Sequence, residues 1–309
     1  MVAGTTFDFK EYVASRRRLV ESSLVEYLDH DDPKELWESM RYSVLAGGKR
    51  LRALLCLASA EAVAGQRYAL AVPCACAIEL VHAMSLIHDD LPCLDNDDLR
   101  RGRPTNHKVF GEAMALLAGD ALLMLAAEIL IVRTSCDVDR QVLLDVASEL
   151  SRATGALGMV GGQVVDMAFT GLAGHPDRPV DGDMLESMHR RKTGALIRFS
   201  AWSGARLAGA DAPRLAVLSR FGEILGLAFQ IADDLLDVTG DAQTLGKTPG
   251  KDAASKKSTW VSLYGVDQSK AKLSLLEEEG KALLTDSGLE SGHSQALASI
   301  LEYAIHRSN

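Results

Sequence analysis

The 309-residue chain is poor in aromatic side chains, at 5%, and poor in the alternating apolar and polar runs from which sheets are built. Its five cysteines, Cys56, Cys74, Cys76, Cys93 and Cys136, form no CxxC pair, and no histidine pair stands at zinc spacing. That excludes the common structural zinc patterns and suggests free thiols in a reducing compartment. A basic excess is missing too: the net charge of -9 argues against a nucleic-acid partner. The opening MVAGTTFDFKEY has early acidic residues and no apolar core, so it does not read as a secretory signal. The best candidate for a membrane span, 115–132, is interrupted by Asp120 and Glu128. A carboxylate facing lipid is costly, so this stretch reads as a buried helix of a large core, in a chain not expected to span a membrane. Glycine and proline gather into no long tract, so 1–309 reads as a single domain.

What is there is helical periodicity. Val13, Val20, Leu24 and Leu28 form one apolar stripe, and Leu36, Met40, Val44 and Leu45 a second that stops at Gly47 and Gly48. Further helices are predicted over 51–64, 70–90, 107–133, 138–170, 182–209, 212–238, 268–285 and 291–305. Ala and Leu dominate the composition and favour helix, so the expected class is all-α, a bundle of helices joined by loops near Pro92, Pro104, 171–179, 240–250 and 288–292.

Two acidic clusters interrupt this apolar background, each near the C-terminal end of a long helix, where the helix dipole disfavours carboxylates. The first holds Asp89, Asp90, Asp95, Asp97 and Asp98. Pro92 should end the helix near Asp90, so that a loop brings Asp95 back towards Asp89. The second holds Asp233, Asp234 and Asp237; the first and last are four apart and share a helix face. Magnesium is satisfied by one or two carboxylates, its other positions going to water and substrate phosphate. A single such pair could be a solvated helix end. Two of them, both set in apolar sequence, point to cation sites.

Basic residues flank the acids. Arg100 and Arg101 follow the first cluster, and Gly47-Gly48-Lys49-Arg50-Leu51-Arg52 forms a second basic group. Lys49 and Arg52 would share a face if a helix starts there, and a helix N-terminus after two glycines would offer backbone N–H groups to an anion. Lys192-Thr193, Lys247-Thr248, Lys251 and Lys256-Lys257 follow. The run Arg16-Arg17-Arg18 reads as solvated surface. Two cation sites and two anion sites in one bundle are what binding two diphosphates requires.

At these residues the chain resembles the trans-isoprenyl diphosphate synthases. The resemblance rests on MRYSVLAGGKRLR (40–52), the aspartate motif at 89–95 with RRG after it, GQVVDM (162–167), KTG (192–194), FQIADDLLD (229–237) and GKTPGKD (246–252). The four-residue spacer before Asp95 and the PTNHK run (104–108) are most similar to bacterial and plastid geranylgeranyl diphosphate synthases. Ala53 and Trp260-Val261 depart from the common pattern without removing a charged residue.

The resemblance implies the isoprenoid synthase fold, a single helical bundle around a deep cavity, and a homodimer. It implies that Asp89, Asp90, Asp95, Asp233, Asp234 and Asp237 hold about three magnesium ions. It places Arg100, Lys192, Thr193, Gln230, Lys247 and Lys257 around an allylic diphosphate, and Lys49, Arg52, His82 and Arg101 around isopentenyl diphosphate; Lys192 and Lys247 join the aspartates as catalytic groups. Chain length should be set by depth. Met84 and Ser85 lie about one turn, or 6–7 Å, below Asp89, and 75–94 contains no Phe, Tyr or Trp to form a high floor. The expected reaction is head-to-tail condensation of isopentenyl diphosphate with C5, C10 and C15 allylic diphosphates, giving geranylgeranyl diphosphate. A farnesyl diphosphate synthase with a shallower pocket, a terpene cyclase, and a non-catalytic regulatory subunit are the alternatives. The segment 240–257 is expected to close over the site and exclude water. A bacterial cytoplasm, or a plastid stroma after loss of a transit peptide, is the expected location.

Overall fold

A computed structural model describes residues 7–169, 180–239, 258–289 and 291–306. It is all-α. α1 (Phe9–Tyr27) is capped by Asp8, whose carboxylate accepts from the N–H groups of Lys10 and Glu11 at 2.8 and 3.1 Å. α2 (Lys34–Val44), α3 (Leu51–Ala64), a 3-10 segment (Gly65–Ala71) and α4 (Val72–Asp89) follow. Two-residue strands, β1 (Leu99–Arg100) and β2 (Arg103–Pro104), pair antiparallel and are the only strands among the described residues. Then come α5 (Asn106–Phe110), α6 (Glu112–Arg133), α7 (Arg140–Thr154), α8 (Met159–Phe169), α9 (Gly182–His189), a π-helical turn (Arg190–Gly194) and α10 (Ala195–Leu207). α11 (Ala212–Thr239), α12 (Trp260–Thr285) and α13 (Ser291–His306) complete the elements of the described residues.

Three stretches expected as single helices are divided. The segment 107–133 breaks at Gly111, whose φ of +84° only glycine adopts cheaply. The segment 138–170 breaks between Thr154 and Met159, and 182–209 is interrupted by the π-turn. α12 starts eight residues earlier than expected, at Trp260, because Thr259 and Ser262 form a reciprocal capping box and Gly265 takes a kink at φ +79°.

Two apolar clusters make the core. One gathers Leu24, Met40, Leu57, Ile78, Leu122 and Phe199. The other gathers Leu54, Ile197, Phe221, Leu225, Leu273 and Leu297. α3 and α10 supply residues to both, so each is buried on opposite faces and they form the middle of the molecule. Each fully buried Leu or Ile contributes about 1.5–3 kcal/mol. α4 packs along α6, α10 lies between α3 and α11, and α11 packs on α12.

The stretch 115–132 is a correction. Ala115, Ala118, Leu122, Ala126 and Ile129 of α6 face the core, but Leu116, Leu117, Met124, Ile131 and Val132 are exposed. Arg16 is a second: it is no solvated residue, pairing with Glu61 at 2.8 Å and lying over the rings of Tyr12 and Tyr68.

Candidate active site

α4 ends at Asp89, and the backbone N–H of Asp95 donates to the Asp89 carbonyl at 2.8 Å. The loop therefore folds back as Pro92 suggested. Asp90 is buried, and Arg100 grips it: Nε donates to both carboxylate oxygens at 2.9 and 2.8 Å, and Nη2 to Oδ1 at 2.5 Å. Asp89 is half-buried. Burial pushes its carboxyl up to about 6; Lys192 and Arg100 oppose this, while Asp95 and Asp90 add to it.

The π-turn links the two acidic clusters. Lys192 Nζ donates to Asp166 Oδ2 at 2.6 Å. Burial works against the ammonium, but Asp166, Asp89 and Asp95 outweigh it and hold Lys192 above its ordinary value. On the next residue, Thr193 Oγ1 donates to Gln230 Oε1 at 3.0 Å. Gln230 Nε2 donates to Asp234 Oδ1 at 3.0 Å, and the N–H of Trp260 donates to Asp234 Oδ2 at 2.7 Å. Asp234 thus caps α12, at the positive end of that helix. Lys192 thus acts on the first cluster by charge, and hydrogen bonds run from its neighbour Thr193 through Gln230 to Asp234 of the second.

Two glycines let the turn sit there. A Cβ at Gly162 would lie 2.3 Å from the Lys192 backbone nitrogen, and one at Gly226 would lie 2.9 Å from the Gly194 Cα. α8 and α11 press the turn from two sides only because both positions lack a side chain. π-Turns recur at functional sites because the extra residue re-aims its neighbours.

A cationic pocket lies beside the first cluster. His82, on α4, faces Arg52, Arg101, Arg100 and Arg50; burial first and these guanidiniums next hold its imidazole neutral, well below its usual range. Tyr42, Leu86, Arg101, Arg103 and Asn106 are among the lining residues. Arg101 Nη1 donates to the Gly47 carbonyl, and its guanidinium covers Gly48, where a Cβ would come within 2.8 Å. Lys49 Nζ lies 5.6 Å from the centre of the Tyr303 ring. Arg50, Asn96 and Arg101 have φ of +52°, +50° and +53°. Left-handed backbone at non-glycine residues costs about 1–3 kcal/mol each and gathers at ligand sites.

α3 begins only at Leu51, so Lys49 precedes the helix and does not share a helical face with Arg52. At that helix N-terminus one N–H is already taken: that of Ala53 donates to Glu79 Oε1 at 3.3 Å. On α11, Asp233 is exposed and Asp237 half-buried. Among the described residues no group of three His, Cys, Asp or Glu side chains converges on one point. Magnesium does not need one. The half-buried Asp89 carboxylate, pushed up by burial first and then by Asp95 and Asp90, stands with Asp95 as an oxygen donor set that a divalent cation fits. Met84 is buried, and the Ser85 hydroxyl donates to the His82 carbonyl at 2.9 Å. Lys247 and Lys257, and the whole 240–257 segment expected to close the site, lie outside the described residues.

Two residues were not assigned roles from the sequence. Asp166 stands in a quoted motif, where a lone acid in apolar GQVVDM was the available signal. Glu79, a lone acid inside α4, is 3% exposed.

Comparison with known proteins shows the family of the chain. The family model described as polyprenyl synthetase matches residues 33–286. The chain is 46% identical to a dimethylallyltranstransferase of Fischerella ambigua (strain UTEX 1903), over 98% of this chain and 85% of that one. It is 44% identical to the chloroplastic heterodimeric geranylgeranyl pyrophosphate synthase large subunit 1 of Arabidopsis thaliana, over 99% and 81%. Its fold superposes on the crystal structure of an FPP/GFPP synthase from Zymomonas mobilis with a TM-score of 0.84 at 36% identity, covering 96% of this chain and 98% of that one.

Proposed function

The chain belongs to the polyprenyl synthetase family, and from that premise we propose that it condenses isopentenyl diphosphate head to tail with allylic diphosphates to give geranylgeranyl diphosphate. The observation that carries the reading is the charge of Lys192 set against Asp89 and Asp95, with hydrogen bonds from the adjoining Thr193 through Gln230 to Asp234, beside a separate pocket of guanidiniums around His82. Two differently built anion sites suit two diphosphates, one bridged through cations and one held by hydrogen bonds.

Asp89, Asp95, Asp233 and Asp237 would hold magnesium. Asp90 and Asp234 stand behind them, engaged by Arg100 and by Gln230 with the Trp260 N–H. Bound magnesium would supply Lewis-acid stabilisation to the leaving diphosphate. Lys192 and Arg100 offer charge to the same group, and Thr193 and Gln230 orient it; Lys247 and Lys257 would join them. His82, Arg52, Arg101 and Lys49 hold the isopentenyl diphosphate so that its double bond meets the allylic carbon as the C–O bond breaks. Loss of a proton to the departing diphosphate completes the step. Met84 and Ser85 lie along the path of the growing tail.

The exposed apolar face of α6 supports a homodimer; the exposed carboxylates Asp120 and Glu128 on the same helix count against a membrane span, and the reading puts the chain in a bacterial cytoplasm or a plastid stroma. The test is incubation of the purified protein with magnesium, isopentenyl diphosphate and, in turn, the C5, C10 and C15 allylic diphosphates, followed by identification of the dephosphorylated alcohols. Geranylgeraniol is the expected main product. Mainly farnesol would keep the chemistry and place the floor near Met84. No product from any partner would overturn the reading and favour a regulatory subunit.

A further inference from the structure

We propose that Glu79 and Arg50 form a positioning pair that sets the geometry of the isopentenyl diphosphate pocket. The inference rests on the reading of that pocket given above. Arg50 Nη1 donates to Glu79 Oε2 at 3.2 Å, with the two side chains 4% and 3% exposed. Arg50 Nη2 donates to the Val44 carbonyl at 2.6 Å. The second Glu79 oxygen takes the Ala53 N–H, in the first turn of α3. One buried carboxylate therefore ties α4 to both sides of the turn that leads into α3.

That turn is where geometry needs enforcing. Arg50 sits at φ +52°, a conformation that an L residue with a long side chain rarely takes unaided. Its backbone direction decides where Lys49, just before it, and Arg52, just after it, project. A buried ion pair is weak evidence for stability, and fixing a register is its best-attested use. Glu79 and His82 are three residues apart and share a face of α4. The acid that anchors the turn and the imidazole of the pocket are thus placed by one helix. Of the four guanidiniums around His82, Arg100 is paired with Asp90 and Arg50 with Glu79.

The proposal has a sign that distinguishes it from a background charge. Removing a negative charge beside an anion pocket should by itself tighten diphosphate binding. Removing an anchor should loosen it. For Glu79→Gln, which keeps shape and an acceptor, the expected result is a KM for isopentenyl diphosphate raised by about tenfold, with the KM for the allylic substrate changed less than about twofold. The double variant with Arg50→Gln should be no worse than the worse single variant. Calorimetric titration of isopentenyl diphosphate without magnesium should show the same selective loss, and thermal melting checks that each variant is folded. If Glu79→Gln does not fold, Arg50→Lys, which retains the charge but cannot span both partners, should raise the same KM by a smaller factor. An unchanged or lower KM for isopentenyl diphosphate in a folded variant, or equal rises for both substrates, overturns the proposal. Failure of the wild-type protein to bind isopentenyl diphosphate would instead overturn the reading of the pocket itself.

Discussion

His189, the last residue of α9, is 4% exposed, and its Nδ1 has no hydrogen-bond partner. Burial pushes the imidazole down to about 4, although Asp166 and Glu186 pull it upward. In the unfolded chain it would titrate near its ordinary value of about 6.5. Between those two values the unfolded state binds a proton that the folded state refuses. Its contribution to stability is therefore full above about pH 6.5 and is lost as the pH falls towards 4, by about 3 kcal/mol at most. Asp89, raised to about 6, acts in the opposite sense, because the folded state takes its proton first. Melting curves of wild type against His189→Gln separate the two: wild type should lose stability relative to the variant between pH 7 and 4.5. A gap independent of pH would give His189 an ordinary titration. Met84 carries a second prediction. Ser85 lies about 40° around the helix from Asp89 and Met84 about 140°. Met84 shares its face with His88, whose Nε2 meets the Leu116 carbonyl of α6 at 3.1 Å. Met84→Tyr should place a ring between α4 and α6 and shift the main product from C20 towards C15. An unchanged product distribution in a folded variant removes Met84 from the floor.

At the scale of elements, the π-turn depends on its neighbours more than on its own sequence. Gly162→Ala would drive a methyl group to 2.3 Å from the Lys192 backbone, so the turn or α8 must move. Overpacking of this kind costs about 1–3 kcal/mol, and a displacement of about 1 Å at a catalytic group can cost about a hundredfold in rate. The expected outcome is a modest fall in melting temperature with a much larger fall in kcat; an equal and small change in both would show that the turn absorbs the methyl. This dependence explains what was legible in the sequence. The periodicity of 51–64 and the apolar run before Asp233 sufficed to place α3 and α11, and Pro92 sufficed to bring Asp95 back to Asp89. The π-turn was hidden, since the apolar pattern of 182–209 runs through it and the extra residue shows only against Gly162 and Gly226. The early start of α12 was hidden because capping by Thr259 and Asp234 needs one local and one distant partner. Glu79 and Arg16 were misjudged or passed over for the same reason: their partners, Arg50 and Ala53 or Glu61 and Tyr68, lie far away in sequence.

At the scale of the molecule, the question is what covers α6. Among the described residues three helical stretches are long and apolar enough to cross a bilayer. The stretch through α3 and α4 and the larger part of α11 spend that apolarity inside the protein, whereas α6 buries one face only. Leu117, Met124 and Ile131 recur at seven-residue spacing on its outer side and are 54%, 68% and 54% exposed. A heptad stripe of this kind fits the same stripe of a second helix. Exposed Asp120 and Glu128 lie on the helix as well, which lipid would penalise and a protein interface with a wet rim would accept. Leu144 on α7, Leu157 just before α8 and Val164 on α8 are exposed as well. Light scattering should therefore give the wild-type protein about twice its chain mass of 33.2 kDa. Leu117→Asp combined with Met124→Asp places like charges on both sides of a self-complementary contact and should yield a folded monomer, with helical content retained. Wild type running as a monomer at micromolar concentration, or a double variant still dimeric, would leave α6 in need of another explanation for its exposed face.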